Sequence, residues 1–105
     1  MNEIDYLFEF EEGNRLRVYA SLERGKAHYF RVQYEAFIGG EWTPIVRYDT
    51  AHGFAHRDLL HPDGTQEKLP MLVTPYAKAF TAAICDLKRF WTVYRRDYET
   101  ELRHL

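Results

Sequence analysis

Along the first seventy residues, apolar side chains recur at every second position, which is the signature of strands with one buried face. Leu16, Val18, Ala20 and Leu22 share one face of a segment whose other face carries Arg17, Tyr19 and Ser21. Phe30, Val32, Tyr34 and Ala36 do the same in a longer segment, Tyr29 to Ile38. Gly39-Gly40 follows, a pair suited to the positive backbone angles of a tight hairpin. The return arm, Glu41 to Tyr48, alternates Trp42, Pro44, Val46 and Tyr48 against Thr43, Ile45 and Arg47. Pro44 has no N–H to give a ladder, so an edge or a bulge is expected there. Tyr6 to Glu11 and Phe54 to His61 read as further strands, and Gln66 to Leu69 as a short one behind the turn Pro62-Asp63-Gly64. Turn signals near residues 13, 25, 39 and 63 leave no room for helical crossovers, so the strands predict an antiparallel meander.

The period then changes. Tyr76, Phe80, Ala83, Leu87, Phe90, Tyr94 and Tyr98 recur at steps of three and four, with Ile84 and Trp91 widening the stripe. Pro75 suits the first helical position and Thr74 is placed to cap it. No Gly or Pro interrupts Tyr76 to Leu105, so the helix is expected over residues 75–104. About thirty residues rising about 1.5 Å each span roughly 45 Å, long for a small domain. The helix therefore bends near Arg96-Asp97, or its end, with Tyr94, Tyr98 and Leu102, packs on a second copy or another protein. The expected fold class is α+β: a meander of five or six strands over residues 6–69, followed by one long C-terminal helix packed on the sheet, all in one domain of residues 1–105.

Composition narrows the function. With 46% hydrophobic and 29% charged residues, the 105-residue chain is not a disordered one. A single cysteine, Cys85, excludes an internal disulfide and a multi-cysteine metal site, and it reads as a small core residue of the helix. A net charge of -2 argues against a general nucleic-acid coat, so RNA is a partner that the charge does not support. No apolar run reaches the roughly 18 residues of a membrane span. The start, Met1-Asn2-Glu3-Ile4-Asp5, lacks the basic-then-apolar order of a secretory leader, so a cytoplasmic protein is expected. Lys88-Arg89 and Arg95-Arg96 lie seven residues apart, about two turns, and share a helix face that is either solvated or a contact for phosphate.

One segment concentrates titratable groups. Residues 47–61 hold three of the five histidines with Arg47, Asp49, Arg57 and Asp58. On strands, Arg47 and Asp49 point to one face, as do His56 and Asp58. If Asp49 to Ala55 is a loop between neighbouring strands, these groups converge. Two chemistries fit. His52 and His56 as base and acid, with Asp49 and Asp58 orienting them and Arg47 and Arg57 gripping phosphate, can cleave RNA without metal, and acid–base help of this kind is worth about 10²–10⁴-fold. The same His52, His56, Asp49 and Asp58 are nitrogen and oxygen donors of types that zinc or manganese accept. Gly53 and the strand-like flanks argue against a helix that would align the two histidines, so no metal or cofactor is expected. A purely structural corner is the alternative: Asp49 closing an Asx turn, Arg47 pairing Asp58 across strands, His56 half-buried. His28 and His104 read as incidental.

The stretch Arg47-Tyr48-Asp49-x-x-His52-Gly53-x-x-His56-x-Asp58, with Pro62-Asp63-Gly64 and Lys68 behind it, resembles a small uncharacterised prokaryotic domain family. Arg47-Tyr48-Asp49 with His52 is more loosely similar to the signature of TumE-type toxins of toxin–antitoxin pairs. That resemblance implies a ribonuclease-like or regulated partner-binding role. The toxins carry paired histidines one step further from the aspartate, where this chain has His52 followed by Gly53. The expectation is an interaction or regulatory domain, dimeric through its helix, with toxin-like ribonuclease activity as the alternative.

Overall fold

The computed structural model describes residues 2–105. Six strands follow one another: β1 (Asn2–Glu9), β2 (Asn14–Glu23), β3 (Lys26–Ile38), β4 (Glu41–Asp49), β5 (His56–Leu60) and β6 (Gln66–Pro70); one helix, α1 (Tyr76–Arg103), closes the chain. The strands form a single antiparallel sheet in sequence order, each paired with the one before it. Gly39 and Gly40 join β3 to β4 at φ 62° and 84°, left-handed angles that cost other residues strain. The first strand begins earlier than its apolar pattern suggests. Hydrogen bonds to β2 from Asn2 onward extend it through the acidic residues.

Two bulges shift the side-chain phase. Between β3 and β4, Tyr34 faces Val46 but Glu35 faces Pro44, which leaves Ile45 as the extra residue. Both Ile45 and Val46 are consequently buried, and Trp42 and Pro44 fall on the opposite face from Val46 and Tyr48. Alternation alone puts those four together; the bulge at the residue without an N–H separates them. A second irregularity, between Ser21 and Leu22, takes Leu22 out of the fully buried row of Leu16, Val18 and Ala20.

The helix lies across β3 and β4 on one face of the sheet. Ala79, Ala83 and Leu87 are fully buried against Phe30, Val32, Tyr34 and Val46, the two alanines being small enough to let the helix axis approach the sheet. Phe30 packs beside the rings of Tyr76 and Phe80, and Trp91 stacks on Phe10 at 5.5 Å. Phe90, expected on this stripe, is 41% exposed, and Cys85, expected in the core, is exposed as well. Both lie off the face centred on Ala83 and Leu87. Thr74 makes no capping bond; Pro75 precedes the first turn.

The helix is continuous over its 28 residues and matches the 46 Å long axis of the domain. Its distal half is fastened to its own sheet. Arg95 donates to the carbonyls of Gly13 and Phe37 and to Asn14 Oδ1. Tyr94 and Tyr48 both donate to Asp86, at 2.6 and 2.7 Å. The helix is not long and apolar enough to cross a membrane.

Candidate functional site

The other face of the sheet carries no helix, and its side chains fall into rows set by the strand register. One row runs Arg17, Gln33, Arg47, Asp58, Lys68 across five strands. The next runs Tyr19, Arg31, Asp49, His56. Neighbouring strands lie about 4.8 Å apart, so side chains in a row reach one another.

The charges of this face lie in two layers. The carboxylates of Glu35, Asp49 and Asp58 are sunk against the backbone and almost wholly buried. The cations that pair with them stand above: Arg17 on Glu35 with 52% of its side chain exposed, Arg31 on Asp49 with 44%, and Lys68 on Asp58 with 39%. Arg15 closes on Glu35 at 2.7 Å and lays its guanidinium over Trp42. Gln33 donates to Glu35 at 2.6 Å and accepts from Arg47 Nε at 2.7 Å, so its amide is locked between the two. Burial pushes the Glu35 carboxyl up, but the bonds from Arg15 and Gln33 and the charges of Arg15 and Arg17 outweigh it and hold the group below its ordinary value.

At the centre sits His56, only 1% exposed. Its Nδ1 lies 3.1 Å from the carbonyl of Phe54, a pure acceptor, so Nδ1 carries a proton and donates there. Its Nε2 faces Asp49 Oδ1 at 2.9 Å, Asp58 Oδ2 at 3.5 Å and Lys68 Nζ at 3.2 Å. The loop that roofs the ring is pinned at both ends. Thr50 exchanges bonds with Phe30 through its N–H and its Oγ1, and Met71 N–H donates to Ala55 O. Asp49 Oδ1 also accepts from Ala51 N–H at 3.0 Å, the Asx turn expected of it. His52 and Gly53 then take left-handed angles, φ 73° and 84°, which turn the exposed His52 over the edge of the cluster, its ring 6.1 Å from that of His56.

Of the residues singled out from the sequence, Arg47, Asp49, His56 and Asp58 are together on the helix-free face and His52 is at its lip. Arg57 is elsewhere. Being opposite Tyr48, it faces the helix and donates to Tyr94 OH at 3.3 Å. Arg47 and Asp58 are directly opposed, yet the Arg47 Nε goes to Gln33. Arg15, Arg17, Arg31, Gln33 and Glu35 join the site without having been expected there. Their signal is in the polar phase of β2 and β3, the positions between the apolar ones, which a search for core residues passes over.

Among the described residues, Asp49, His56 and Asp58 are the group whose donor atoms come close enough for a metal ion, all lying within 4.8 Å of one another. Two shallow depressions of about 380 and 310 Å³ lie instead beside the end of α1, both lined by His61, Glu67 and Glu101.

The fold and site define a small α+β domain, a six-stranded meander with one face under a helix and the other bearing a buried His/Asp cluster beneath basic side chains. The chain belongs to the family described as Domain of unknown function (DUF7718), which matches residues 1–104. No curated protein and no solved structure matches the chain.

Proposed function

We propose that the domain is a small cytoplasmic interaction module whose helix-free sheet face binds a phosphodiester chain, single-stranded RNA in particular. The observation that carries this reading is the layering of charge. The acids in the middle of this face, Glu35, Asp49 and Asp58, are buried, and what meets the solvent above them is Arg17, Arg31 and Lys68, with the half-buried Arg47 among them. Buried carboxylates hold the guanidinium groups in place, which lowers the entropy lost when a phosphate is gripped. Two ring pairs frame the cations, Tyr19 with Tyr29 at 5.9 Å and Phe37 with Trp42 at 5.3 Å; Arg15 covers the Trp42 face, and the half-exposed rings of Tyr19, Tyr29 and Phe37 are of the kind that unpaired bases stack on. The exposed acids of β1 that the register puts on this face, Glu3, Asp5 and Glu9, stand opposite Ser21, Tyr19 and Arg15 at one edge, so the RNA is expected to lie over β2 to β6, away from them.

The test is fluorescence anisotropy with a labelled single-stranded RNA oligonucleotide at several salt concentrations. Binding is expected at low salt, weakening steeply as salt rises. The double variant Arg17→Ser/Arg31→Ser should bind more weakly, with the salt slope reduced by about 0.7 for each phosphate that is no longer neutralised. No binding at low salt, or equal binding by the double variant, removes the reading.

The toxin-like ribonuclease reading draws on the same face. His52 is the imidazole that reaches solvent, so its replacement by alanine is the decisive variant for cleavage; His56 lies under the loop and is suited to holding rather than to touching substrate. Of the expected partner face, Leu102 is 39% exposed and Tyr98 half-buried, whereas Tyr94 is tied to Asp86 and Arg57 of its own chain, so self-association through the helix rests on its last turns. It predicts a dimer mass in light scattering that falls to the monomer when Leu102 is changed to Asp.

A further inference from the structure

We infer that Asp49, His56 and Asp58 form a binding site for one divalent transition-metal ion, Mn²⁺ or Zn²⁺, in which Lys68 is the built-in competitor. The cluster's own geometry carries this site independently of RNA binding by the face, and either can fail alone.

The Phe54 carbonyl takes the Nδ1 proton of His56, which in the neutral imidazole leaves the Nε2 lone pair aimed at two carboxylates. This is the arrangement that orients ligating histidines elsewhere: one nitrogen tied to a backbone carbonyl, the other turned to the metal. An electron pair facing two carboxylate oxygens at 2.9 and 3.5 Å is repulsive, and a metal ion between them relieves it, as a proton on Nε2 or the Lys68 ammonium also would. Metal–ligand bonds of about 2.1 Å at angles from 90° to 109° put neighbouring donors roughly 3.0–3.4 Å apart, close to the two distances found here.

The second observation is independent of the first. Asp58 is 4% exposed, and among the described residues its Oδ1 accepts no hydrogen bond. A buried carboxylate oxygen without a donor is costly. Lys68 Nζ approaches it only to 3.6 Å while also lying 3.2 Å from His56 Nε2, so the ammonium offsets part of the charge without completing the geometry. Lys68 comes from the exposed strand β6 on a long flexible stem and can withdraw into solvent when an ion enters. One imidazole and two carboxylates suit borderline ions such as Mn²⁺ and Zn²⁺. Three protein ligands also leave coordination positions for water or for a phosphate oxygen arriving along the basic face.

The experiment is equilibrium dialysis of the full chain against Mn²⁺ and, separately, Zn²⁺. About one ion per chain is expected. Asp58→Asn should weaken binding by about a hundredfold or more. Lys68→Met should strengthen it several-fold, an effect that neither a surface site at His61 nor one at His104 would produce. NMR of the wild-type chain gives a readout that needs no variant: substoichiometric Mn²⁺ should broaden the His56 ring signals before those of His61 or His104. No uptake of either ion overturns the proposal. Broadening that begins at His61, or an affinity unchanged in both variants, overturns it as well.

Discussion

His61 and His56 are five residues apart and do opposite things. His56 is locked under a loop, whereas His61 stands at the sheet edge between Glu101 of α1 at 2.8 Å and Glu67 of β6 at 2.7 Å. The hydrogen bonds to Glu101 and then Glu67 push its pKa above the ordinary imidazole value, against a smaller opposing effect of burial. A raised folded pKa means the imidazolium clip is fully present below the unfolded value of about 6.5 and is lost as pH rises through the folded value. Urea melts of wild type should therefore show stability falling across that window, and His61→Asn should flatten the fall. An unchanged slope would show that this clip does not couple the helix end to the sheet. The residue scale is also where the sequence is hardest to read. Arg47 and Arg57 look alike in the chain, yet one belongs to the polar face and the other, paired with Tyr48 in the register, goes under the helix to Tyr94.

Elements are more legible than residues, because period is a property of many positions at once. The switch from a period of two to one of 3.6 marks where the sheet ends and the helix begins, and Pro44 announces the bulge in β4. What alternation cannot carry is phase beyond a bulge, which is why it assigns Trp42 to the wrong side. The helix stripe has a similar ambiguity at its margin, where Phe90 and Trp91 are both aromatic and only packing on Phe10 and Tyr34 selects Trp91. This phase is testable by stability. Leu87→Ala, at a fully buried site, should cost about 2–5 kcal/mol. Phe90→Ala should cost less than about 1 kcal/mol. Chemical denaturation of both variants with equal slopes would check it, and a reversed order would mean that the helix is rotated about its axis.

The whole molecule separates its tasks by face. One side of the sheet is sealed by α1 and held by apolar packing; the other is held by ion pairs and left open. Its basic layer predicts an asymmetry that net charge cannot express. Lys88→Ser/Arg89→Ser removes two cations on the helix side, where Lys88 lies over the Phe8 ring and Arg89 over Phe90, and should leave RNA binding unchanged, whereas Arg17→Ser/Arg31→Ser removes two from the open face and should weaken it. Anisotropy under identical salt conditions compares the two pairs, and equal losses would mean that binding is diffuse. The sequence by itself determined the meander, the long helix, most of the buried rows and the grouping of His and Asp near residue 50, since periodicity, turn residues and neighbours along a hairpin are local quantities. Only the tertiary structure decided which face the cluster occupies, that Arg15, Arg17, Arg31 and Lys68 join it, and that its acids lie beneath its cations. Those outcomes depend on register across five strands and on where one helix comes down, and both are set by contacts between residues far apart in the chain.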